Sequence, residues 1–209
     1  MAVVGVILSA RDGLVIAADT PNGASGASND TILQVGNQTG CYLYSPQARP
    51  VLQSFLAATQ PVPPSPGGIA QSLAQYLGAN PPAEHVGFAL VGLEPPTHSN
   101  TVQEVTWTEQ AARQTPFPGN LMVGAHSVGR YLNDRMYGFN ASLELAKAQA
   151  AFLIAETRNA LPNVRPYLVI ATVDRVNGFQ WVPDHVLDQL LDQAFERARR
   201  LRLNCVELF

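Results

Sequence analysis

Asp19 is the residue of this chain most in need of a chemical explanation. It closes Leu14-Val15-Ile16-Ala17-Ala18, an apolar run that reads as a buried strand, and a carboxylate in that place needs a partner or a task. Other reactive groups are sparse. His126-Ser127 follows a glycine turn and sets a base beside a hydroxyl, although a lone histidine there reads first as a loop residue. Asp184-His185 offers an acid and a base side by side, but at the start of a helix the simpler reading is a pair suited to the helix dipole. Cys41 and Cys205 have no metal-ligand spacing and read as buried free thiols. Lys147 is the single lysine beside twelve arginines. Arg197, Arg199, Arg200 and Arg202 read as a solvated helix end, or next most simply as a subunit contact.

The elements that must position these groups follow from turn chemistry and periodicity. Val3, Val4, Val6, Ile7 and Leu8 form one strand, Arg11-Asp12-Gly13 the turn, and Leu14 to Ala18 the returning strand. Both runs are almost continuously apolar, so both faces of the sheet are expected to be covered. Thr31 to Val35 and Cys41 to Tyr44 predict a second hairpin. Val51, Leu52, Phe55 and Leu56 mark a helix with Pro50 in its first turn. After a stiff connector from Gln60 to Gly67, the residues Ile69, Leu73, Tyr76 and Leu77 mark a second helix that Gly78 stops.

Val86 to Leu93 and Thr101 to Trp107 predict a strand pair, Gln110 to Gly119 a loop, Leu121 to Ala125 a strand and Val128 to Met136 a short helix. Asn140 caps the longest helix, Ala141 to Ala160, with Leu145, Ala148 and Phe152 inward, Lys147 and Arg158 outward, and Pro162 as its end. Tyr167 to Val173 and Phe179 to Val182 flank an Asn177-Gly178 turn. Pro183 opens a last helix through about Arg202, with Asp184 and Asp188 early and the arginines late, the order a helix dipole favours.

Composition narrows the function classes. A chain of 209 residues, 46% hydrophobic, supports one core and one domain over 1–209. Charged residues make up only 14%, against roughly 25% in ordinary soluble domains, which favours a surface that faces other subunits. The net charge of −3 gives no basic footprint for nucleic acid. No apolar run reaches the roughly 18 residues that a membrane span needs, and the N-terminus lacks the pattern of a signal peptide. The expectation is a cytoplasmic protein without membrane, nucleic-acid or cofactor partners.

Residues 3–19, VVGVILSARDGLVIAAD, resemble the opening of proteasome β-type subunits, where a strand, a turn ending in glycine and an apolar strand lead to an acidic residue. The segments LMVGAHSVGRYL (121–132), YLVIATV (167–173) and DRVNGFQWVP (174–183) are similar to the family's second half in order and spacing, and the likeness is weakest from Gln60 to Leu121. The resemblance implies an α+β fold, a four-layer αββα sandwich of the N-terminal nucleophile hydrolase type. It also implies β-type character, since no extra helix precedes the first strand, and assembly into rings as a homo-oligomer or with proteasome-like subunits, with an ATPase as a possible further partner.

In active members of that family an N-terminal threonine is the nucleophile and its own amine can serve as base. A lysine tunes that system, an aspartate holds the lysine, and backbone N–H groups stabilise the oxyanion. Carried onto this sequence, the nucleophile position falls on Met1, or on Ala2 after trimming, and neither bears a hydroxyl or thiol. Ser9 is the first hydroxyl. Asp19 matches the family's aspartate, the lysine position falls on Thr31, the supporting serine on Ala125, and the Asp-x-x-Ser-Gly-Gly stretch on Pro162-Asn163-Val164-Arg165-Pro166. These relic positions imply an inactive, ring-forming structural or regulatory subunit. A hydrolase with rearranged chemistry is the alternative, with Ser127 as nucleophile, or Cys41 exposed by a cut at Gly40-Cys41. A monomer or dimer that binds a small ligand in the relic cleft is the third reading.

Overall fold

Alternate residues of the opening hairpin go to two different cores, which explains why its strands are apolar throughout. The computed structural model describes residues 4–20, 29–108, 111–116, 120–123, 141–159 and 167–206. Strands β1 (Gly5–Ala10) and β2 (Gly13–Thr20) pair antiparallel, with Val6 opposite Ala17 and Leu8 opposite Val15. Val6, Leu8, Val15 and Ala17 face one side of the sheet, and Ile7, Leu14, Ile16 and Ala18 the other. A strand buried on both faces reads as a nearly continuous apolar run.

The remaining elements are β3 (Ile32–Gly36), β4 (Thr39–Leu43), α1 (Ala48–Ala58), α2 (Pro66–Ala79), β5 (Val86–Glu94), β6 (Ser99–Thr108), β7 (Ala111–Pro116), β8 (Leu121–Val123), α3 (Leu143–Asn159), β9 (Tyr167–Asp174), β10 (Gly178–Trp181) and α4 (Asp184–Val206). They form an α+β protein with two antiparallel five-stranded sheets, ordered β10-β9-β2-β1-β8 and β3-β4-β5-β6-β7. Three buried clusters separate the layers. Helices α3 and α4 pack through Ala150, Phe152, Ile154, Leu187 and Leu191 on the first sheet. Ile7, Ile16, Tyr42, Val91 and Phe179 fill the space between the sheets. Leu52, Phe55, Ile69 and Leu73 of α1 and α2 pack on the second sheet against Cys41, Phe88 and Leu90.

Local chemistry sets the helix ends. The Ser65 hydroxyl accepts from the Gly68 N–H at 3.1 Å and Pro66 occupies the first turn, a combination suited to a helix start. Glu94 adds a carboxylate to the same end, accepting from the Gly67 N–H at 3.3 Å.

Several expectations need correction. Gly78 does not stop α2, which runs on to Ala79 and closes where the Asn80 N–H donates to the Tyr76 carbonyl. The expected loop from Gln110 contains β7, a largely exposed strand that pairs with β6 from Gln103 opposite Pro116 to Thr108 opposite Ala111. Its register comes from the open edge of β6, so it needs no apolar alternation.

Helix α3 starts at Leu143. Its first turn is held by the Ser142 hydroxyl, which accepts from the Leu145 N–H at 3.3 Å, and by Asp12, which accepts from the Leu143 N–H at 2.8 Å. Leu145 points outward at 45% exposed, while Ala146, Ala150, Leu153 and Ile154 are buried beside Phe152. Lys147 is largely covered, its side chain 13% exposed and its amine 2.6 Å from Glu144. Asn140, the 128–136 helix, Pro162 and the expected ends at Ala125 and Ala160 lie outside the described residues.

Candidate functional site

Asp19, the penultimate residue of β2, lies opposite Leu168 of β9, completely buried. Its Oδ1 accepts a hydrogen bond from the Val4 N–H at 2.8 Å, and its own N–H donates to the Val4 carbonyl at 3.0 Å. A carboxylate that accepts from a buried backbone N–H is compensated for part of its desolvation, and the chain entering β1 is fixed in place. The Thr20 hydroxyl lies 3.4 Å from the Tyr167 carbonyl, to which it donates.

Thr31, at the lysine position implied by the resemblance, is buried just before β3. Its N–H and that of Ile32 donate to the Asn29 side-chain oxygen at 2.8 and 2.6 Å, and its carbonyl accepts from the Leu43 N–H. The nearby cation is Arg49 of α1, which donates at 2.7 Å to both the Asn29 carbonyl and Asp30 Oδ1. That side chain braces the approach to β3. Lys147 belongs to the helix layer on the other side of the first sheet, beside Glu144. Asp19 and Thr31 therefore lie at one end of the sandwich with no lysine between them.

At that same end the structure brings together three residues with no signal in the sequence. The Tyr42 ring lies fully buried against Gly5, so closely that a Cβ at Gly5 would meet it at 2.2 Å. Tyr44, just past the end of β4, stands with its ring 5.9 Å from that of Tyr42 and donates its phenol proton to Glu104 Oε1 of β6 at 2.5 Å. Burial, and then the Glu104 carboxylate, push the Tyr44 phenol far above its ordinary 10.0. Burial alone does the same to Tyr42. Both phenols are held as neutral groups, suited to packing and hydrogen-bond donation and unsuited to act as bases. Only the strand pairing of β4, β5 and β6 joins Tyr44 to Glu104, across 60 positions of sequence.

Cys41 is placed where it cannot serve as a nucleophile. It is fully buried in the middle of β4, paired with Leu33 on one side and Leu90 on the other, and it faces α1 and α2, away from the space between the sheets. Burial pushes its thiol far above the ordinary 9.0, so the thiolate that nucleophilic chemistry needs is absent near neutral pH. Gly40, on the other side of that peptide bond, lies so close to Ile16 and Phe179 that a Cβ would meet both at 2.6 Å. Ser9 is half-buried, and its hydroxyl accepts from the Asn100 amide at 2.7 Å. His185 is exposed in the first turn of α4, beside Asp184.

Met1, Ala2, Ala125, His126, Ser127 and Pro162 to Pro166 lie outside the described residues. Among the described residues no group of three or more His, Cys, Asp or Glu side chains could hold a metal ion, and no helix is long and apolar enough to cross a membrane. Compared with known proteins, the chain matches no protein-family model and no curated protein.

Proposed function

We propose that this chain is a proteasome-β-like subunit of the N-terminal nucleophile hydrolase fold, without peptidase activity, that works in the cytoplasm by assembling into a ring. The resemblance of residues 3–19 and of the segments from Leu121 to Pro183 supports this reading. So does the order of layers, in which two five-stranded antiparallel sheets lie between two pairs of helices.

The observation that carries the loss of activity is the hydrogen bond from the Val4 N–H to Asp19. In an active site of this kind the aspartate holds a lysine amine. Here one carboxylate oxygen clamps the backbone at the head of β1, the lysine position carries Thr31, and Lys147 sits in another layer. The low charge content suits a subunit with much of its surface against neighbours.

Sedimentation velocity with native mass spectrometry tests both parts. The expected result is a closed particle of about six or seven chains, each starting at Met1 or Ala2. A particle of one or two chain masses would overturn the ring. A chain that starts at Cys41 would overturn the inactive assignment in favour of a processed hydrolase.

A further inference from the structure

A strand at the border of a sheet presents unpaired N–H and C=O groups, and proteins blunt such edges by shortness, by bulges or by a cover. Three of the border strands here are protected in these ways. β8 has three residues. β10 has four, and its Phe179 N–H is taken by the Asn37 carbonyl. β3 has five, and its register shifts between Gln34 and Gly36, the mark of a bulge. β7 is the exception. It has six residues in unbroken register with β6, and all but Ala112 are exposed. Among the described residues no strand pairs with its far side, and no backbone hydrogen bond from outside the sheet reaches it.

Pro116 fixes which groups point outward. A proline has no N–H for a ladder and is accommodated in an edge strand where that position faces away from the neighbour. Pro116 is paired with Gln103, so its carbonyl, and by alternation the N–H and C=O of Gln114 and Ala112, point to the open side, while Thr115, Arg113 and Ala111 bond to β6. A second β7 running antiparallel about a two-fold axis at Gln114 answers this pattern. The Gln114 N–H groups donate to each other's carbonyls, and each Ala112 N–H donates to the partner's Pro116 carbonyl. Gln114 shares the face of Val105 and Phe88, and on that face two Gln114 amides, each donor and acceptor, meet at the axis. On the other face Arg113, which makes no ion pair among the described residues, meets the partner's Thr115, with the partner's Glu104 next in the row. No charge stands directly opposite its like. A foreign peptide added to an edge draws its specificity from pockets for its side chains, whereas the exposed Arg113, Gln114 and Thr115 offer polar tips that suit their own copies. We propose that β7 is a two-fold docking edge for a second copy of this chain, so that the second sheet continues across the axis. The contact is small, so the pair is weak and forms at high protein concentration, and it does not depend on ring closure.

The test is sedimentation velocity over a range of protein concentrations, with two variants at the axis. Wild-type chains are expected to pair as the concentration rises. Q114P removes the outward N–H at the axis while the bonds to β6 remain, and is expected to weaken the pairing about tenfold. Q114C sets two thiols on the axis, where opposed Cα atoms about 5.5 Å apart are within disulfide reach. Mild oxidation should therefore join the two copies at position 114, as read by peptide mapping, even if Q114P fails to fold. R113C, which meets its own copy only diagonally across the axis, should not cross-link. Wild-type chains that remain single at every concentration, a folded Q114P that pairs as tightly as the wild type, or R113C that cross-links as readily as Q114C would overturn the proposal. A ring of about six or seven chains that ignores Q114P and does not cross-link through Q114C would overturn the β7 contact and keep the ring. A dimer that Q114P dissociates would do the reverse.

Discussion

The Asp19 carboxylate and the Val4 N–H are joined by a 2.8 Å hydrogen bond, and the Asp19 N–H returns one of 3.0 Å to the Val4 carbonyl. The pair locks the residue that enters β1 to the residue near the end of β2. Replacing Asp19→Ala leaves the Val4 N–H without its charged acceptor in a buried setting, a loss of about 2–3 kcal/mol. Asp19→Asn keeps an oxygen in place and should cost about 1 kcal/mol. Urea denaturation of the two variants checks the order. An Asp19→Asn variant as stable as the wild type would mean that the carboxylate charge contributes nothing to the clamp.

Tyr44 and Glu104 set the response of the fold to alkali. The folded Tyr44 phenol titrates far above its ordinary 10.0, as does Tyr42, and the folded Cys41 thiol far above its ordinary 9.0. Below pH 9 all three groups are protonated in folded and unfolded chains alike, and their contribution is fully present. Above that the unfolded chain releases protons that the folded chain keeps, so stability falls as pH rises through 9 and 10. Tyr44→Phe should make that decline shallower while costing about 1–2 kcal/mol at neutral pH, because Glu104 loses its donor. Denaturation midpoints from pH 7 to 11 give both numbers, and an unchanged slope would contradict the assignment of Tyr44.

Gly5 is required by the ring of Tyr42. A methyl at Gly5 would overlap a rigid, fully buried aromatic group, and overpacking of that kind costs about 1–3 kcal/mol. Gly5→Ala should therefore lower the thermal midpoint and change the near-ultraviolet circular dichroism of the displaced tyrosine. A Gly78→Ala substitution serves as the contrast. That Cβ meets nothing within 4 Å, and alanine in a helix should stabilise by about 0.5–1 kcal/mol.

Cys41 should react with thiol reagents only when the protein unfolds. Peptide mapping after labelling separates it from Cys205. The expected result is no modification of Cys41 in the folded protein at neutral pH and full modification in denaturant. Rapid labelling of the folded chain at Cys41 would reopen the reading of this residue as a nucleophile.

The fold was legible where side chains and local chemistry agree. Arg11-Asp12-Gly13 announced the first turn. Asn177-Gly178 announced the last, where Gly178 has φ +67° and Asp174 Oδ1 accepts from the Val176 and Asn177 N–H groups at 2.7 Å. β7 was hidden because its residues are mostly exposed and only the edge of β6 recruits them. The inner face of α3 was misjudged because buried alanines surround it, so that Leu145 looked like the core residue that Ala146 is. Its start was missed because Asp12, one of its acceptors, lies 131 positions away. Of the candidate site, Asp19 was readable as a charge at the end of an apolar run. Tyr44 and Glu104 were not, since nothing local to either announces the other.

The amide of Asn100, on β6, donates to the Ser9 hydroxyl at 2.7 Å and to the Ala10 and Gly13 carbonyls at 2.6 and 2.9 Å, sharing two hydrogens among three acceptors. One side chain of the second sheet thus fastens the first hairpin turn of the other. Nearby, the Asn37 carbonyl accepts from the Phe179 N–H at 2.7 Å, a second bolt between the same sheets. The two sheets are riveted at the end where these turns meet, so their breathing must resemble a book held by its spine. Amide hydrogens around Ala10, Gly13 and Phe179 should exchange last, and the pages part first near Val4, Asp19 and Thr31.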